Sequence, residues 1–190
     1  MRKFLIVTLV LGLAMGIGIG SASAAGNSLK AGMFGFGVGL GNSVFGNTGG
    51  TSGTAAGVIT ISGKYFVAND LAVTAGLGMQ GSTGDVDANF FSIAGGLRKY
   101  LKVDDFAPFL EARLTYATEK FTGGAGGAGN VHEDILDISG LFGAEYFLTK
   151  QFSVEGSIGF GIGTVNNDLN NQDYTYFGTR TVGVSANFYF

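Results

Sequence analysis

The chain has 190 residues, 35 of them glycine, with one proline, no cysteine and a formal net charge of −3. That length suits one domain. The acidic balance argues against nucleic acid as a partner, and the lack of cysteine excludes disulfides and a lipid-bearing thiol.

Arg2 and Lys3 precede an apolar run from Phe4 to Gly20, and Ser21-Ala22-Ser23-Ala24 follows. Ala22-x-Ala24 is the small-residue pattern that precedes a secretory cleavage site, which predicts a signal peptide over 1–24 and a cut before Ala25. The rival is a transmembrane anchor. Four glycines interrupt the run and no basic stop follows it, which favours the signal. The exported domain is then 25–190, with nine basic and fourteen acidic side chains, a net of −5.

From there the pattern has period two, the mark of strands with one apolar and one polar face. In the first strand, over 31–45, Phe34, Phe36, Val38 and Leu40 oppose Gly35, Gly37, Gly39 and Gly41. Gly46 to Gly53 is a loop by composition. The second strand, over 56–67, sets Ile59, Ile61, Tyr65 and Val67 against Thr60, Ser62 and Lys64. Ala68-Asn69-Asp70 is a tight turn. The third sets Leu71, Val73, Ala75, Leu77 and Met79 against Thr74, Gly76, Gly78 and Gln80. After a loop over 81–88, the fourth, over 89–101, has Phe91, Ile93, Leu97 and Leu101 on one face and Ser92, Gly96, Arg98 and Tyr100 on the other.

A short polar turn, Lys102 to Pro108, leads to the fifth strand, where Leu110, Ala112, Leu114 and Tyr116 alternate with Phe109, Glu111, Arg113 and Thr115. The longest loop is expected over 122–133. In the sixth strand Leu136, Ile138, Phe142, Tyr146 and Leu148 oppose Asp137, Ser139, Gly143 and Glu145. After a turn at 149–151, the seventh opposes Phe152, Val154, Ile158, Phe160 and Ile162 to Ser153, Glu155, Ser157, Gly159, Gly161 and Gly163. A loop over 166–174 precedes the last strand. There Val182, Val184, Ala186, Phe188 and Phe190 share one face, and Thr181, Gly183, Ser185, Asn187 and Tyr189 the other.

Eight strands with connections alternating long and short describe an all-β, antiparallel, up-and-down transmembrane barrel, its apolar rows turned to lipid. An aromatic-rich strand at a chain end would be a sticky edge unless it paired with the first strand. The soluble alternative, a sandwich or lipocalin-like barrel with the apolar rows inside, would need apolar inner faces that are nearly absent. The signal, the eight alternating strands and the terminal Phe188-x-Phe190 resemble the small outer-membrane barrels of the OmpA/OmpX-like porin superfamily, over essentially all of 25–190. The resemblance implies a protein of the cell outer membrane, in contact with lipid and lipopolysaccharide. It also implies that Phe188 and Phe190 are read by the barrel assembly machinery. A monomer is expected.

An eight-stranded barrel is just wide enough for side chains to fill it. Lys64, Arg98, Glu111, Arg113, Glu145 and Glu155 point inward nearer the end that carries the short turns, with Asp137 higher up. Charges held there should be paired. A structural plug is the favoured reading, and a low-conductance path for ions or small solutes the alternative. Gly35, Gly37, Gly39, Gly41, Gly159, Gly161, Gly163 and Gly183 line one bare wall, into which Arg98, Tyr100, Phe109, Glu111 and Arg113 are expected to reach. A water-filled vestibule is expected above.

No residues point to catalysis, a cofactor or a metal. Gly124-Ala125-Gly126-Gly127-Ala128-Gly129 has the letters of a nucleotide fingerprint but no following helix, so it reads as a loop. His132, between Val131 and the acidic Glu133 and Asp134, reads as solvated. Asp85, Asp87, Asp168 and Asp173 make the remaining loops acidic, which keeps them soluble or lets divalent cations bridge them to lipopolysaccharide phosphates. The protein is read as a structural, surface-interaction barrel with short external loops, not an enzyme.

Overall fold

The computed structural model describes residues 29–41, 58–83, 87–122, 131–168 and 172–190. The expected signal peptide, the loop at 46–53, the glycine-rich segment at 124–129 and Asp85 lie outside the described residues. Eight antiparallel strands form one closed barrel in sequence order: β1 (Phe34–Gly41), β2 (Val58–Ala68), β3 (Leu71–Ser82), β4 (Asp87–Tyr100), β5 (Phe106–Thr122), β6 (Val131–Thr149), β7 (Phe152–Asn167) and β8 (Gln172–Tyr189). β8 closes on β1 in register, Phe36 opposite Phe188 and Leu40 opposite Val184.

The barrel is staggered. Following the pairs from Phe36 through Gly63, Ala75, Gly95, Leu114, Ile138 and Ile162 leads to Phe177, not back to Phe188. Such an offset accompanies strand tilt in any closed sheet. With about 3.3 Å per residue and a tilt near 45°, the 19 residues of β6 rise ~44 Å. A hydrocarbon core needs roughly 30 Å, so β6 continues beyond it.

The apolar rows face out. Leu77, Ile93, Leu97, Leu114, Ile138 and Phe160 are all exposed, as are Phe36 and Ile61. Phe188 packs on the outer face against Phe152, ring centroids 4.9 Å apart. Water would penalise this surface, whereas hydrocarbon accepts it, so the fold is stable only with its outside in lipid.

Several strands run further than the alternation of apolar residues suggests. Pro108 lies inside β5, His132 and Glu133 inside β6, and Asn166 and Gln172 inside strands. Outward positions there are polar (Thr118, Lys120, Asp134, Thr164, Asn166) because the strands have left the apolar layer. The external connections are thus carried on extended strand ends.

β8 contains a bulge. Ser157 pairs with Gly183 but Gly159 with Arg180, so β8 spends one residue more than β7. A bulge switches which side chains face in. Below it Asn187 and Tyr189 point into the lumen; above it Phe177 is 77% exposed and Tyr176 turns inward.

The inner face is less bare of apolar groups than expected. At the end with the short turns, Leu29, Phe66, Ala72, Tyr100, Ala107, Phe109, Phe147 and Tyr189 form a buried cluster. Leu29 is delivered by a turn in which Gly32 takes a φ of 88° and donates its N–H to the Phe66 carbonyl at 2.7 Å. At the loop end, Ala117, Ile135 and Val165 pack with Phe90 and Tyr176.

Two glycines on β6 contrast the inner face with the outer. A Cβ on Gly143 would strike the Phe109 ring and sit 2.6 Å from the Gly156 carbonyl oxygen, while one on Gly140 would meet nothing within 4 Å. Gly143→Ala should therefore destabilise the refolded barrel by about 1–3 kcal/mol, and Gly140→Ala should stay within about 0.5 kcal/mol of the parent. Urea unfolding in detergent micelles checks both.

Candidate functional site

The lumen holds the chain's ionic chemistry, set by which strand supplies which inward residue. Glu145 on β6 and Glu155 on β7 are directly paired across the strands. Like charges so placed repel, and both are buried. The repulsion is offset from the other walls. Lys64 on β2 places Nζ 3.2 Å from Glu145 and 2.6 Å from Glu155. Arg98 on β4 crosses the barrel and grips Glu155 with both terminal nitrogens, at 2.7 and 2.8 Å.

Arg98 also binds its cross-strand partner Glu111 through Nε at 2.8 Å. Its guanidinium carbon lies 3.7 Å from the Phe109 ring centroid, a close cation–π stack. Glu111 in turn takes Nε of Arg113 at 2.8 Å and the Thr74 hydroxyl at 3.1 Å. The six charged residues thus form one chain of alternating sign, Arg113–Glu111–Arg98–Glu155–Lys64–Glu145. Arg113 is the member that keeps contact with solvent, its side chain 33% exposed.

Neutral donors complete the site. Glu145 accepts from Tyr100 at 2.7 Å, from Asn187 at 3.2 Å, and from the hydroxyls of Ser153 and Tyr189 in short contacts. Sequence reasoning places Asn187, Tyr189, Tyr100 and Ser153 on inward rows but does not join them to the charges. The signal available is parity alone, and which walls meet depends on register. β1 adds no side chain here, its inward positions being glycine.

The glycine wall is filled differently from the expectation. Arg98 does cross toward β7, but the space over β1 is taken by its neighbours. A Cβ at Gly35 would meet Tyr189 at 2.6 Å, one at Gly37 would strike Asn187, and one at Gly163 would strike Tyr176. A cavity of about 180 Å³ lies above the charges, lined by Thr74, Arg113, Thr115, Ser139 and Ser157, and the Phe90, Ile135, Val165 and Tyr176 layer packs above it. Asp137, buried on β6, meets the Tyr176 hydroxyl at 3.3 Å.

His132 faces outward near the loop end, 3.6 Å from Asp134 and 3.5 Å from Thr118. Among the described residues no three acidic or histidine side chains lie together as a metal site would need. At the short turns Lys99 pairs with Asp70, and Lys102 with Asp104 at 2.8 Å. The hydrogen bond from Lys99 holds the Asp70 carboxyl below its ordinary 3.8.

The sequence matches the model of the outer membrane protein beta-barrel domain over residues 11–188. The chain belongs to that family, and is a small eight-stranded β-barrel of the outer membrane. Its fold is similar to the N-terminal β-barrel domain of Pseudomonas aeruginosa OprF (TM-score 0.55, 13% identity, 84% of this chain and 98% of that one). It is likewise similar to Pseudomonas aeruginosa OprG (TM-score 0.54, 13% identity, 87% and 98%). No curated protein matches by sequence.

Arg98→Ala would take a cation from both Glu111 and Glu155, leaving three buried carboxylates against Lys64 and Arg113. It should cost about 3–5 kcal/mol, against about 1 kcal/mol for the part-exposed Arg113→Ala, in equilibrium unfolding. At the turn, the lowered Asp70 pKa means that the pair's stabilisation is present above pH 3.8 and fades as acid protonates the folded carboxyl. In Lys99→Ala, an NMR titration should find Asp70 back near 3.8.

Proposed function

We propose that this protein is a surface-presenting structural barrel whose lumen is plugged by its own ionic and aromatic layers. The observation that carries the reading is the continuous alternating chain from Arg113 to Glu145, spanning the lumen directly above the buried aromatic cluster. An ion would have to separate charge pairs that the low-dielectric interior holds firmly. The same charges supply no vacant, one-signed ring of the kind that selects ions in a pore.

The outer ends of β5 to β8 then form the presenting surface. Thr118, Lys120, His132, Asp134 and Asn166 would stand among lipopolysaccharide headgroups, directly or through divalent cations. Residues 1–24 would be removed on export, with Ala25 becoming the first residue. Phe188 on the strand that closes the barrel and Phe190 just beyond it would be the groups read by the assembly machinery, and the barrel would act as a monomer.

The alternative is a low-conductance path, favoured by the cavity of about 180 Å³ and the part-exposed guanidinium of Arg113 beside it. Planar-bilayer recording on the refolded protein separates the two. The plugged barrel should give no unitary current steps, and Arg113→Ala should add none. Regular steps whose size changes in Arg113→Ala would replace this reading with the channel.

A further inference from the structure

The seam between β1 and β8 has an unusual construction. In the outer wall it is an ordinary pair, with Phe36 beside Phe188 and Leu40 beside Val184. On the lumen side β1 offers only glycine, so its own side chains fasten nothing there. Instead the flanking strands meet over it. Tyr189 on β8, Gly35 on β1 and Lys64 on β2 form one cross-strand row. Lys64 Nζ reaches the Tyr189 hydroxyl at 3.1 Å, over the strand between them. That hydroxyl donates onward to Glu145 on β6. One row further on, Asn187 and Ser62 approach from either side of Gly37, and Asn187 Nδ2 also reaches Glu145.

We propose that Tyr189, Lys64 and Glu145 form a clasp that locks the barrel shut, binding the last strand to the second across the first. The clasp cannot exist before closure, because Tyr189 meets Lys64 only once β8 lies against β1. It is buried, with Tyr189 1% exposed and Glu145 fully covered, so its hydrogen bonds to charge act without competition from water. The glycines at 35 and 37 are what permit it. A Cβ at Gly35 would stand 2.6 Å from Tyr189 Cε1 and 2.9 Å from Cδ1, pushing the ring off its partners. The device gives the first strand a role as a strap held beneath the clasp, and it is independent of whether the lumen conducts.

Hydrogen–deuterium exchange in micelles tests this, because it reads each strand separately. Tyr189→Phe keeps the ring and removes the hydroxyl. It should speed exchange of the β1 amides about tenfold, as expected for one lost charge-assisted hydrogen bond, and leave the β4–β5 ladder unchanged. Gly35→Ala should act on β1 in the same direction. Arg113→Gln, which touches Glu111 and not β8, should leave β1 exchange as it is. Unchanged β1 exchange in Tyr189→Phe would overturn the clasp, as would equal acceleration of β1 and β4–β5 in that variant. If Gly35→Ala does not refold, Tyr189→Phe by itself decides between these outcomes.

Discussion

A bilayer supplies no hydrogen-bond partners, so every backbone N–H and C=O in it must find one within the protein. For a sheet that requirement means closure, and here the union of β8 with β1 supplies it. The rest of the structure follows. Closing eight strands leaves an interior too narrow for bulk water and too wide for bare backbone, so the inward faces must fill it. Large aromatics do so near the turns, ions in the next layer, and small hydroxyls above.

The ionic layer contributes more to specificity than to raw stability. Replacing such a network by close-packed apolar groups is often neutral or favourable, because desolvation offsets the attraction. What the charges add is register. Glu145 is reached from β2, β4, β7 and β8 together, and Arg98 ties β4 to β5 and β7. Slipping any one strand by a residue would turn its contribution out into lipid. The pattern therefore discriminates sharply between the native pairing and its nearest competitors.

Much of this is readable from residues alone. Period-two alternation locates all eight strands, and it assigns Lys64, Arg98, Glu111 and Glu155 to the inside because apolar neighbours fix parity on both sides of each. The bulge in β8 is not readable. Val184 and Ala186 mark the outward face below it, but nothing between Arg180 and Gly183 signals the extra residue that reverses the faces. Strand ends escape for another physical reason. Past the hydrocarbon, both faces meet water, so His132 and Asn166 carry no alternation to read. Phe66, Phe109 and Phe147 sit on inward parity, yet the outer rows are so rich in similar residues that nothing singles them out as a core. The meeting of Arg98 with Glu155 lies further out of reach, because it depends on how far the register is staggered around the barrel.

The facing pair Glu145 and Glu155 has one further consequence. Each is tolerable only because Lys64 and Arg98 arrive from β2 and β4, so exchanging any of the four alone unbalances the charge of the layer. Over evolutionary time this layer should drift as a block, with compensated double changes, whereas the alkyl exterior is free to trade one greasy side chain for another, position by position. Two barrels of this kind could share a shape, differ almost everywhere outside, and still betray common descent in the covariation of a few lumen residues.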